Sequence, residues 1–404
     1  MLSDLARWKL LRESAALLCR GRRRLRGIKQ WSEAQVVPDF NRSDCAHKRM
    51  TRPYISVLVD TYNHERYIEE ALVSVLEQDV SEAEREVIVV DDGSTDRTPE
   101  IVGKFAPRVR LIRKENGGQA SAFNAGIPEC AGEIVAFLDG DDWWAPGKLQ
   151  AVAQALASDE NVGLVGHGIT EVFTDGRQNV ELLRERPRFR IDSREGAQVF
   201  RLRKSFLGTS RMTYRAAVLR KIGRVPETLR FQADEYLFTI AGLLADVLIL
   251  RESLTFYRLH DANLFQLSDG NVEAVRRKGQ VMAALAQSLR DELKRRAIAR
   301  EISEIIVDWV QNEADQLLLL ADGGMPWKTV QTELHNYRVT HEDASMAHWI
   351  FKCATLLPAC VLPPRIYYSW KRQFSTNGLY RKTREKWLPF LHPAHVDRDR
   401  RSNV

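Results

Sequence analysis

The chain has 404 residues, of which 44% are hydrophobic and 28% are charged. These proportions exclude wholesale disorder and low-complexity classes, and the length allows two or three domains. The five Cys residues form no CxxC pair. Their pattern argues against a disulfide framework or a thiolate zinc site, and it favours a reducing, cytoplasmic compartment.

No uncharged apolar run reaches the roughly 18 residues that a transmembrane helix needs. The nearest run, Cys353–Pro364, has 12 residues and is interrupted by Pro358. Near the N-terminus the longest apolar run is Ala15–Cys19, which is shorter than the core of a signal peptide, about 7–15 residues. We therefore expect neither a spanning helix nor a signal peptide.

The formal net charge of +6 hides an asymmetry along the chain. Residues 1–50 and residues 361–404 each carry a net charge of +7, so the stretch between them carries −8. Basic ends suit an anionic surface such as a membrane or a nucleic acid, or they are solvated tails. The charge distribution alone leaves these alternatives open.

Residues 1–50 have the composition of an Arg-rich helical extension followed by a polar linker. Beyond them, β-branched apolar runs alternate with segments of helical periodicity, which predicts a mostly parallel sheet covered on both faces. The predicted strands are Tyr54–Val59, Glu86–Val90, Val109–Lys114 and Glu133–Leu138, and the predicted helices are Tyr67–Gln78, Thr98–Phe105 and Gln119–Gly126.

The second half of the chain is helical in composition, most clearly over Asn271–Leu320. Further helices are predicted to about residue 357, before a segment rich in Pro, aromatic and basic residues. We therefore predict three parts. These are a basic extension over 1–50, an α/β domain over 51–265, and a helical region with a basic, aromatic tail over 266–404.

Three carboxylates follow the fourth predicted strand, at Asp139, Asp141 and Asp142. Ligands of such sheets bind at the carboxyl ends of the strands. Carboxylates this close repel one another unless a cation neutralises them, and oxygen ligands suit Mg²⁺ or Mn²⁺. The alternative is a solvated acidic turn, but the apolar strand before it and the Trp pair after it weigh against that alternative.

Three further polar clusters lie at predicted strand ends or helix starts. Asp91–Asp96 holds two carboxylates and a Gly-Ser turn, which suit either ribose hydroxyls or the capping of the next helix. Asp60–Asn63 closes the first strand, and Glu115–Gly126 has paired glycines that let a backbone approach a ligand. No GxGxxG or GxxxxGK[ST] motif is present, so dinucleotide-binding and P-loop folds lose their main support.

In order and spacing, the four clusters resemble the family 2 glycosyltransferases of the GT-A fold. Val57–Asn63 is similar to the family's first strand with its T-Y-N turn, and 91–96 is similar to its D-D-G-S-x-D turn. Asn116–Gly126 resembles N-x-G-x-x-x-A-x-N-x-G, and Asp139–Asp141 resembles D-x-D. The resemblance covers about residues 53–265 and departs at Asp60, where the family often has Pro.

This resemblance implies a nucleotide-sugar donor that lies over the carboxyl ends of the strands. A divalent cation, Mn²⁺ or Mg²⁺, would bridge the donor diphosphate and be bound by Asp141, while Asp139 would face the ribose or the sugar. The other donor contacts that the resemblance implies are Asp60, Thr61, Tyr62, Asp92, Asn116 and Gly117.

Asp234 and Glu235 resemble the family's acidic catalytic motif, although its usual order is Glu-Asp. Alignment on the following aromatic residue and Leu puts Asp234 at the position of the general base, with Glu235 as the runner-up. The alternative is an acidic first helical turn, which the helix dipole favours. Downstream, the likeness to Y-R-x-H-x-x-N implies that His260 completes the metal shell or touches the diphosphate and that Arg258 pairs with phosphates.

The resulting prediction is a metal-dependent, inverting glycosyltransferase that uses a UDP-sugar first, with GDP- and dTDP-sugars as alternatives. Its acceptor would be a glycan or a lipid-linked sugar in bacterial surface polysaccharide or glycolipid assembly. A nucleotidyltransferase would need a Gly-rich basic loop after its first strand, which Thr61–Arg66 is not. A basic membrane- or nucleic-acid-binding protein would leave the acidic strand ends unexplained, and no nucleic acid partner is expected.

The C-terminal segment predicts a peripheral contact with the inner face of the cytoplasmic membrane. Cys353–Pro364 is too short to span the hydrocarbon layer as a helix. Trp349 precedes this run, and Tyr367, Tyr368 and Trp370 follow it; these residue types favour the membrane interface. The alternative is that the run packs onto the helical region and that the charges are solvated.

Overall fold

The computed structural model describes residues 54–81, 84–181, 183, 186–203, 207–260, 272–340 and 346–376. The basic extension predicted for residues 1–50 lies outside the described residues, as does the tail beyond residue 376.

The strands of the described residues form one mixed sheet. They are β1 (Ile55–Thr61), β2 (Arg85–Asp91), β3 (Arg110–Arg113), β4 (Ile134–Asp139), β5 (Trp143–Trp144), β6 (Val162–Val172), β7 (Gln178–Val180), β8 (Arg188–Phe189), β9 (Thr213–Arg215) and β10 (Asp246–Arg258). The strand order is β3-β2-β1-β4-β9-β6-β10-β5, with β7 beside β6 and β8 beside β10.

Helices cover the sheet and continue beyond it. They are α1 (Ile68–Leu76), α2 (Thr98–Gly103), α3 (Gln119–Gly126), α4 (Lys148–Ser158), α5 (Arg194–Arg203), α6 (Ala216–Ile222), α7 (Ala233–Leu244), α8 (Val272–Arg295), α9 (Arg300–Asp322), α10 (Pro326–Thr340), α11 (Met346–Thr355), α12 (Leu357–Val361) and α13 (Pro364–Thr376). The α/β fold class with a C-terminal helical region, as expected for the GT-A fold, is confirmed.

The four predicted strands and three predicted helices of the first half correspond to β1–β4 and α1–α3. Strands β1 to β4 are parallel, and β6 is parallel to β10. β9 differs, because it pairs antiparallel with both β4 and β6. It follows a short 3-10 turn, Thr209–Arg211.

Side chains of the central strands alternate between two cores because the strand repeat is two residues. On one face, Leu58 and Phe137 are buried with Phe123 of α3, and the two Phe rings meet edge to face at 5.1 Å. On the other face, Val57 is buried with Leu72 of α1. Packing on both faces fixes the register of the strands and therefore the positions of the residues that follow them.

The C-terminal helical region begins with the antiparallel pair α8 and α9. Buried residues of α8 recur at helical spacing, and Met282 and Leu285 join the same core as Tyr236 of α7. The two helices approach closely at Gly279, where a Cβ atom would lie 2.9 Å from the Cγ atom of Leu318. The position of α8 is thereby fixed against the α/β domain.

Helices α10 to α13 pack on the end of α9 around a smaller core. Glu333 of α10 is almost fully buried, and its carboxylate accepts hydrogen bonds from Lys352 of α11 at 3.0 Å and from Lys371 of α13 at 2.6 Å. Over the described ranges, no helix combines the length and the apolar character that bilayer spanning demands.

Candidate active site

The carboxyl ends of β1, β2 and β4 bring the predicted polar clusters to one edge of the sheet. The register pairs Asp60 with Asp139 across β1 and β4, and Thr61 with Asp91 across β1 and β2. A cavity of about 1210 Å³ opens over this edge. Ten of the predicted site residues line it, namely Asp60, Thr61, Tyr62, Asp92, Asn116, Asp139, Asp141, Asp234, Glu235 and His260. Gly117 and Arg258 are not among the residues that line the cavity.

Asp60 and Asp139 face each other at the ends of β1 and β4 within the acidic cluster. Burial raises the pKa of Asp60 to about 8. The hydrogen bond with Asp139 opposes this shift, whereas the charges of Asp141 and Asp234 add to it. Burial also raises the pKa of Asp139 well above its usual range, and the neighbouring carboxylates add to the shift. Apposed carboxyl groups in a low-dielectric site cannot all be charged unless a cation joins them.

Asp141 differs from its neighbours because two imidazoles face it. Nε2 of His260 lies 3.1 Å from Oδ2 of Asp141, and Nε2 of His64 lies 3.8 Å from the same oxygen. Burial works to raise the pKa of Asp141, but the hydrogen bond from His260 and the charges of both imidazoles hold it below its usual value. His260 is itself stacked on Tyr67, with ring centroids 4.7 Å apart.

His64 is a site residue that the sequence analysis missed. It follows the T-Y-N turn directly, and its Nδ1 atom lies 3.2 Å from Oγ1 of Thr61. Its position immediately after a motif that closes a buried strand is the signal that could have identified it.

The acidic cluster of Asp60, Asp139, Asp141 and Asp142 presents oxygen donors of the kind that bind a hard divalent cation. Within the part of the chain that the structure describes, no three His, Cys, Asp or Glu side chains form a ready-made metal centre. Two observations nevertheless fit such a cation. Oδ1 of Asp60 is buried and has no hydrogen-bond partner among the described residues, and the surrounding donors are mostly carboxylate oxygens, which Mg²⁺ and Mn²⁺ prefer.

Asp92 shapes the glycine loop that borders the cavity. Its Oδ1 accepts hydrogen bonds from Nζ of Lys114 at 2.6 Å and from the Gly117 amide at 3.0 Å, and its Oδ2 accepts one from the Gly118 amide at 2.7 Å. Gly118 has a φ of +87°, and a Cβ atom there would lie 2.6 Å from Cα of Arg230. Gly117 therefore contributes its backbone N–H to this loop, and Asp92 holds the loop in place.

The T-Y-N turn is tied to the turn after β2. Asn63 has a φ of +56°, its amide donates to Oγ of Ser94 at 2.9 Å, and its Oδ1 accepts from the Thr95 amide at 2.8 Å. Tyr62 lies at the rim and is exposed. An exposed aromatic ring on a rigid turn provides a surface on which a flat ligand can stack.

The first turn of α7 places Asp234 at the cavity. Its Oδ1 accepts the Glu235 amide at 2.8 Å, and its Oδ2 lies 3.4 Å from Oγ1 of Thr209. Burial raises the pKa of Asp234, although these hydrogen bonds oppose the shift. Glu235 also borders the cavity, but its side chain is more deeply buried than that of Asp234.

Gln119 is a second residue that the sequence analysis did not single out. Its Nε2 donates to Oγ1 of Thr209 at 2.9 Å, and its Oε1 accepts from the Ala233 amide at 3.0 Å. These bonds join the start of α3 to the start of α7. Gln119 therefore fixes the turn on which Asp234 is carried.

Ser210 holds the carboxylate turn from the opposite side. Its hydroxyl donates to Oδ2 of Asp142 at 2.6 Å and accepts from the Asp139 amide at 3.1 Å. Its carbonyl accepts from Nε1 of Trp144 at 3.1 Å. The turn that carries Asp139 and Asp141 is thus fixed by buried hydrogen bonds.

Arg258 contacts the carboxylate turn through both its backbone and its guanidinium group. Its Nε donates to the Asp141 carbonyl at 3.0 Å and its amide to Oδ1 of Asp142 at 3.0 Å, while its guanidinium also pairs with Glu70. The guanidinium carbon lies 4.4 Å from the ring centroid of Trp143. In this arrangement Arg258 supports the carboxylate turn.

The far wall of the cavity is formed by α8. Arg277, Lys278, Val281 and Ala284 line it at helical spacing, so one stripe of this helix combines basic and apolar side chains. The cavity therefore has an acidic end on the sheet and, on the C-terminal helical region, a wall that carries Arg277 and Lys278 of α8 and Glu313 of α9.

Comparison with known proteins matches residues 56–223 to the family described as "Glycosyl transferase family 2". The uncharacterized glycosyltransferase alr2836 of Nostoc sp. is 34% identical over 215 residues, which are 52% of this chain and 66% of that protein. The uncharacterized glycosyltransferase EpsJ of Bacillus subtilis is 37% identical over 131 residues, which are 32% of this chain and 37% of that protein. The chain thus spans less than two thirds of the length of these relatives.

Solved structures also show similarity. Residues 1–349 of S. aureus TarS, in complex with UDP-GlcNAc, are 23% identical with a TM-score of 0.47, and the match covers 75% of this chain and 90% of that chain. The mannosyltransferase PcManGT from Pyrobaculum calidifontis, in complex with GDP-Man and Mn²⁺, is 22% identical with a TM-score of 0.45. That match covers 79% of this chain and 89% of that chain.

Proposed function

Residues 56–223 are a family 2 glycosyltransferase domain, and from that premise we propose that the protein transfers a sugar, with inversion, from a nucleoside-diphosphate sugar to an acceptor hydroxyl. The observation that carries this proposal is the opening of both the carboxylate turn and Asp234 into one cavity. A donor over the strand ends and a base on α7 then face the same space.

We assign the nucleotide-sugar donor to the part of the cavity that lies over the sheet edge. The exposed ring of Tyr62 stacks on the nucleobase, and Thr61 and Asn116 supply hydrogen-bonding groups beside it. A UDP-sugar is the first candidate, followed by GDP- and dTDP-sugars. Asp92 and Gly117 contribute by shaping the loop that borders the nucleoside, in keeping with their mutual hydrogen bond.

Asp141 and His260 are assigned to a divalent cation, Mn²⁺ or Mg²⁺, and Asp139 is assigned to the ribose or the sugar of the donor. Such a cation, when bound, neutralises charge on the leaving nucleoside diphosphate. Asp60 adds a further buried carboxyl group to this set. Arg258 and Ser210 keep the carboxylate turn in position through the contacts described above.

Asp234 is assigned as the general base. It accepts the proton of the acceptor hydroxyl while the oxygen attacks the anomeric carbon opposite the departing diphosphate. A raised pKa suits this role, because a carboxylate with a higher pKa is a stronger base near neutral pH. Glu235 is the alternative base, since it borders the same cavity.

The acceptor is assigned to the side of the cavity formed by α8. This wall offers basic groups at Arg277 and Lys278 and apolar contact at Val281. Sugars carry both hydroxyl groups and apolar ring faces, which suit such a surface. The proposed acceptor is a glycan or a lipid-linked sugar of bacterial surface polysaccharide or glycolipid assembly.

A nucleotide-sugar screen tests this proposal. We expect a UDP-sugar to raise the melting temperature of the full chain, and to raise it more when Mn²⁺ is present, because a ligand that binds only the folded state stabilises it. In transfer assays we expect release of nucleoside diphosphate. Release of sugar 1-phosphate in its place would show transfer of the nucleotidyl group and identify a nucleotidyltransferase, and the absence of any shift with all donors would contradict the proposal.

A further inference from the structure

The last three described helices expose six large apolar side chains. They are Met346 and Ile350 of α11, Leu357 and Val361 of α12, and Ile366 and Trp370 of α13, and we name these six residues the apolar face. Leu357 is 67% exposed, Val361 78% and Ile350 65%. Six large apolar residues with exposures this high within residues 346–370 mark an interaction surface.

The apolar face belongs to helices that are already packed on their inner side. Leu356 and Ala359 of the short apolar run are buried, as are Tyr367 and Tyr368. The prediction that these two Tyr residues lie at a membrane interface is therefore wrong, because their rings fill the core against α9 and α10. The apolar run uses one side for this core and leaves Leu357 and Val361 on the other.

The charges of this segment are of one sign. Residues 346–376 contain four Lys or Arg residues and no Asp or Glu. Residues 377–404 add seven Lys or Arg against three Asp or Glu. Glu333 offsets part of this charge from the inner side, where it pairs with Lys352 and Lys371.

We propose that the apolar face binds the surface of a bilayer that contains anionic lipid. Helices of 10, 5 and 13 residues lie along such a surface and are too short to cross it. Apolar side chains enter the boundary between headgroups and acyl chains, and the positive charge of the segment is attracted by anionic headgroups.

A bilayer fits this surface better than a second copy of the chain. Two copies joined through the same face would bring two cationic segments together, since a twofold interface uses identical patches. Like charges brought together in this way oppose association. The proposal is also independent of glycosyl transfer, because binding to vesicles requires no donor or acceptor.

Vesicle flotation with the full chain tests the proposal. We expect the protein to float with vesicles of phosphatidylcholine and phosphatidylglycerol at low salt, and to bind pure phosphatidylcholine at least tenfold more weakly. High salt should weaken the binding because it screens the headgroup charge. We expect the double variant Leu357→Ser/Val361→Ser to bind the mixed vesicles at least tenfold more weakly than the wild type.

The matched control is the double variant Val180→Ser/Val199→Ser, which changes two exposed Val residues on β7 and α5. It should float like the wild type, and circular dichroism and melting temperature should show both variants folded. Three outcomes would overturn the proposal. They are wild-type protein that floats with neither vesicle, a Leu357/Val361 variant that floats like the wild type, and a wild-type dimer in solution that this variant converts to a monomer.

Discussion

Nε2 of His260 lies 3.1 Å from Oδ2 of Asp141, although 119 residues separate the two in sequence. The contact joins the end of β10 to the turn after β4, and the stacking of His260 on Tyr67 fixes the imidazole from its other side. In the absence of other ligands this pairing holds the Asp141 carboxylate in its charged form. It therefore keeps one charged carboxylate in a site where burial raises the pKa values of the neighbouring Asp60 and Asp139.

For the variant Asp141→Asn we expect loss of Mn²⁺-dependent UDP binding while the fold is retained. The contacts with His260 and His64 hold the pKa of Asp141 below its usual value, so the charged carboxylate contributes to stability and the melting temperature without metal should fall modestly. Calorimetry with UDP, with and without Mn²⁺, measures the effect. We expect the affinity to fall by more than the roughly 10- to 100-fold cost of losing an outer-shell partner.

The control for this variant is Asp175→Asn, which removes an exposed carboxylate paired with Arg177. It should bind UDP and Mn²⁺ like the wild type. Treatment of the wild type with a chelator should reproduce the Asp141→Asn phenotype. Unchanged affinity in Asp141→Asn would rule out the proposed metal role of this residue.

For Asp234→Asn we expect donor affinity to remain nearly intact while the transfer rate falls by roughly 10²–10⁴, the usual range for removal of a general base. The amide keeps the size of the side chain and loses the ability to accept a proton. Steady-state kinetics and donor calorimetry on the same preparation separate the two effects. A dead Glu235→Gln variant beside an active Asp234→Asn variant would assign the base to Glu235.

For Gln119→Ala we expect a fall in kcat with little change in the Kd for UDP. The substitution removes the bonds to Thr209 and to the Ala233 amide and so loosens the turn that carries Asp234. Each lost hydrogen bond costs about 1 kcal/mol of stability. Gln119→Glu keeps the acceptor of the Ala233 amide and should recover part of the rate, whereas equal rates in the wild type and Gln119→Ala would refute the positioning role.

For Glu333→Gln we expect the free energy of unfolding to fall by roughly 3 kcal/mol, because two partly buried ammonium groups lose their carboxylate partner. Burial works to raise the pKa of Glu333, yet Lys371 and Lys352 hold it below its usual value. Burial lowers the pKa of Lys371 although Glu333 faces it. Glu333 has two cationic partners, so we take its titration to govern the cluster at low pH.

The sign of the pH effect follows from this lowered pKa. A carboxylate whose pKa is lower in the folded state contributes its full stability above the unfolded pKa, about 4.3, and loses it as the pH falls through the folded value. The difference in melting temperature between wild type and Glu333→Gln should therefore be constant above about pH 5.5 and shrink below about pH 4. A difference that grows on acidification would contradict the assignment.

Local sequence patterns were enough to predict the first four strands, the first three helices and the sheet edge at which the polar clusters meet. Runs such as Val87–Val90 carry their own strand preference, and parallel strands joined by helices bring their carboxyl ends to one side. Turn-forming residues indicated where the strands end, as at Asn63, which adopts a positive φ in the turn after β1.

The hydrogen-bond partners of the side chains at that edge could be identified only from the tertiary structure. Arg258 contacts the turn of Asp141 and Asp142, and Asp92 binds the glycine loop, because each meets partners that are distant in sequence. The same holds for Gln119, which contacts Thr209 across 90 residues. Such contacts depend on the packing of whole helices and strands, and no local pattern encodes them.

The division is clearest in the C-terminal helices. Residue types alone placed Tyr367 and Tyr368 at an interface, whereas packing buries both rings and exposes Leu357 and Val361. In these short helices both faces carry apolar or aromatic residues, and only the neighbours of each helix determine which face is buried. The hydrophobic effect rewards burial of either face, so the shape of the core against α9 and α10 makes the choice.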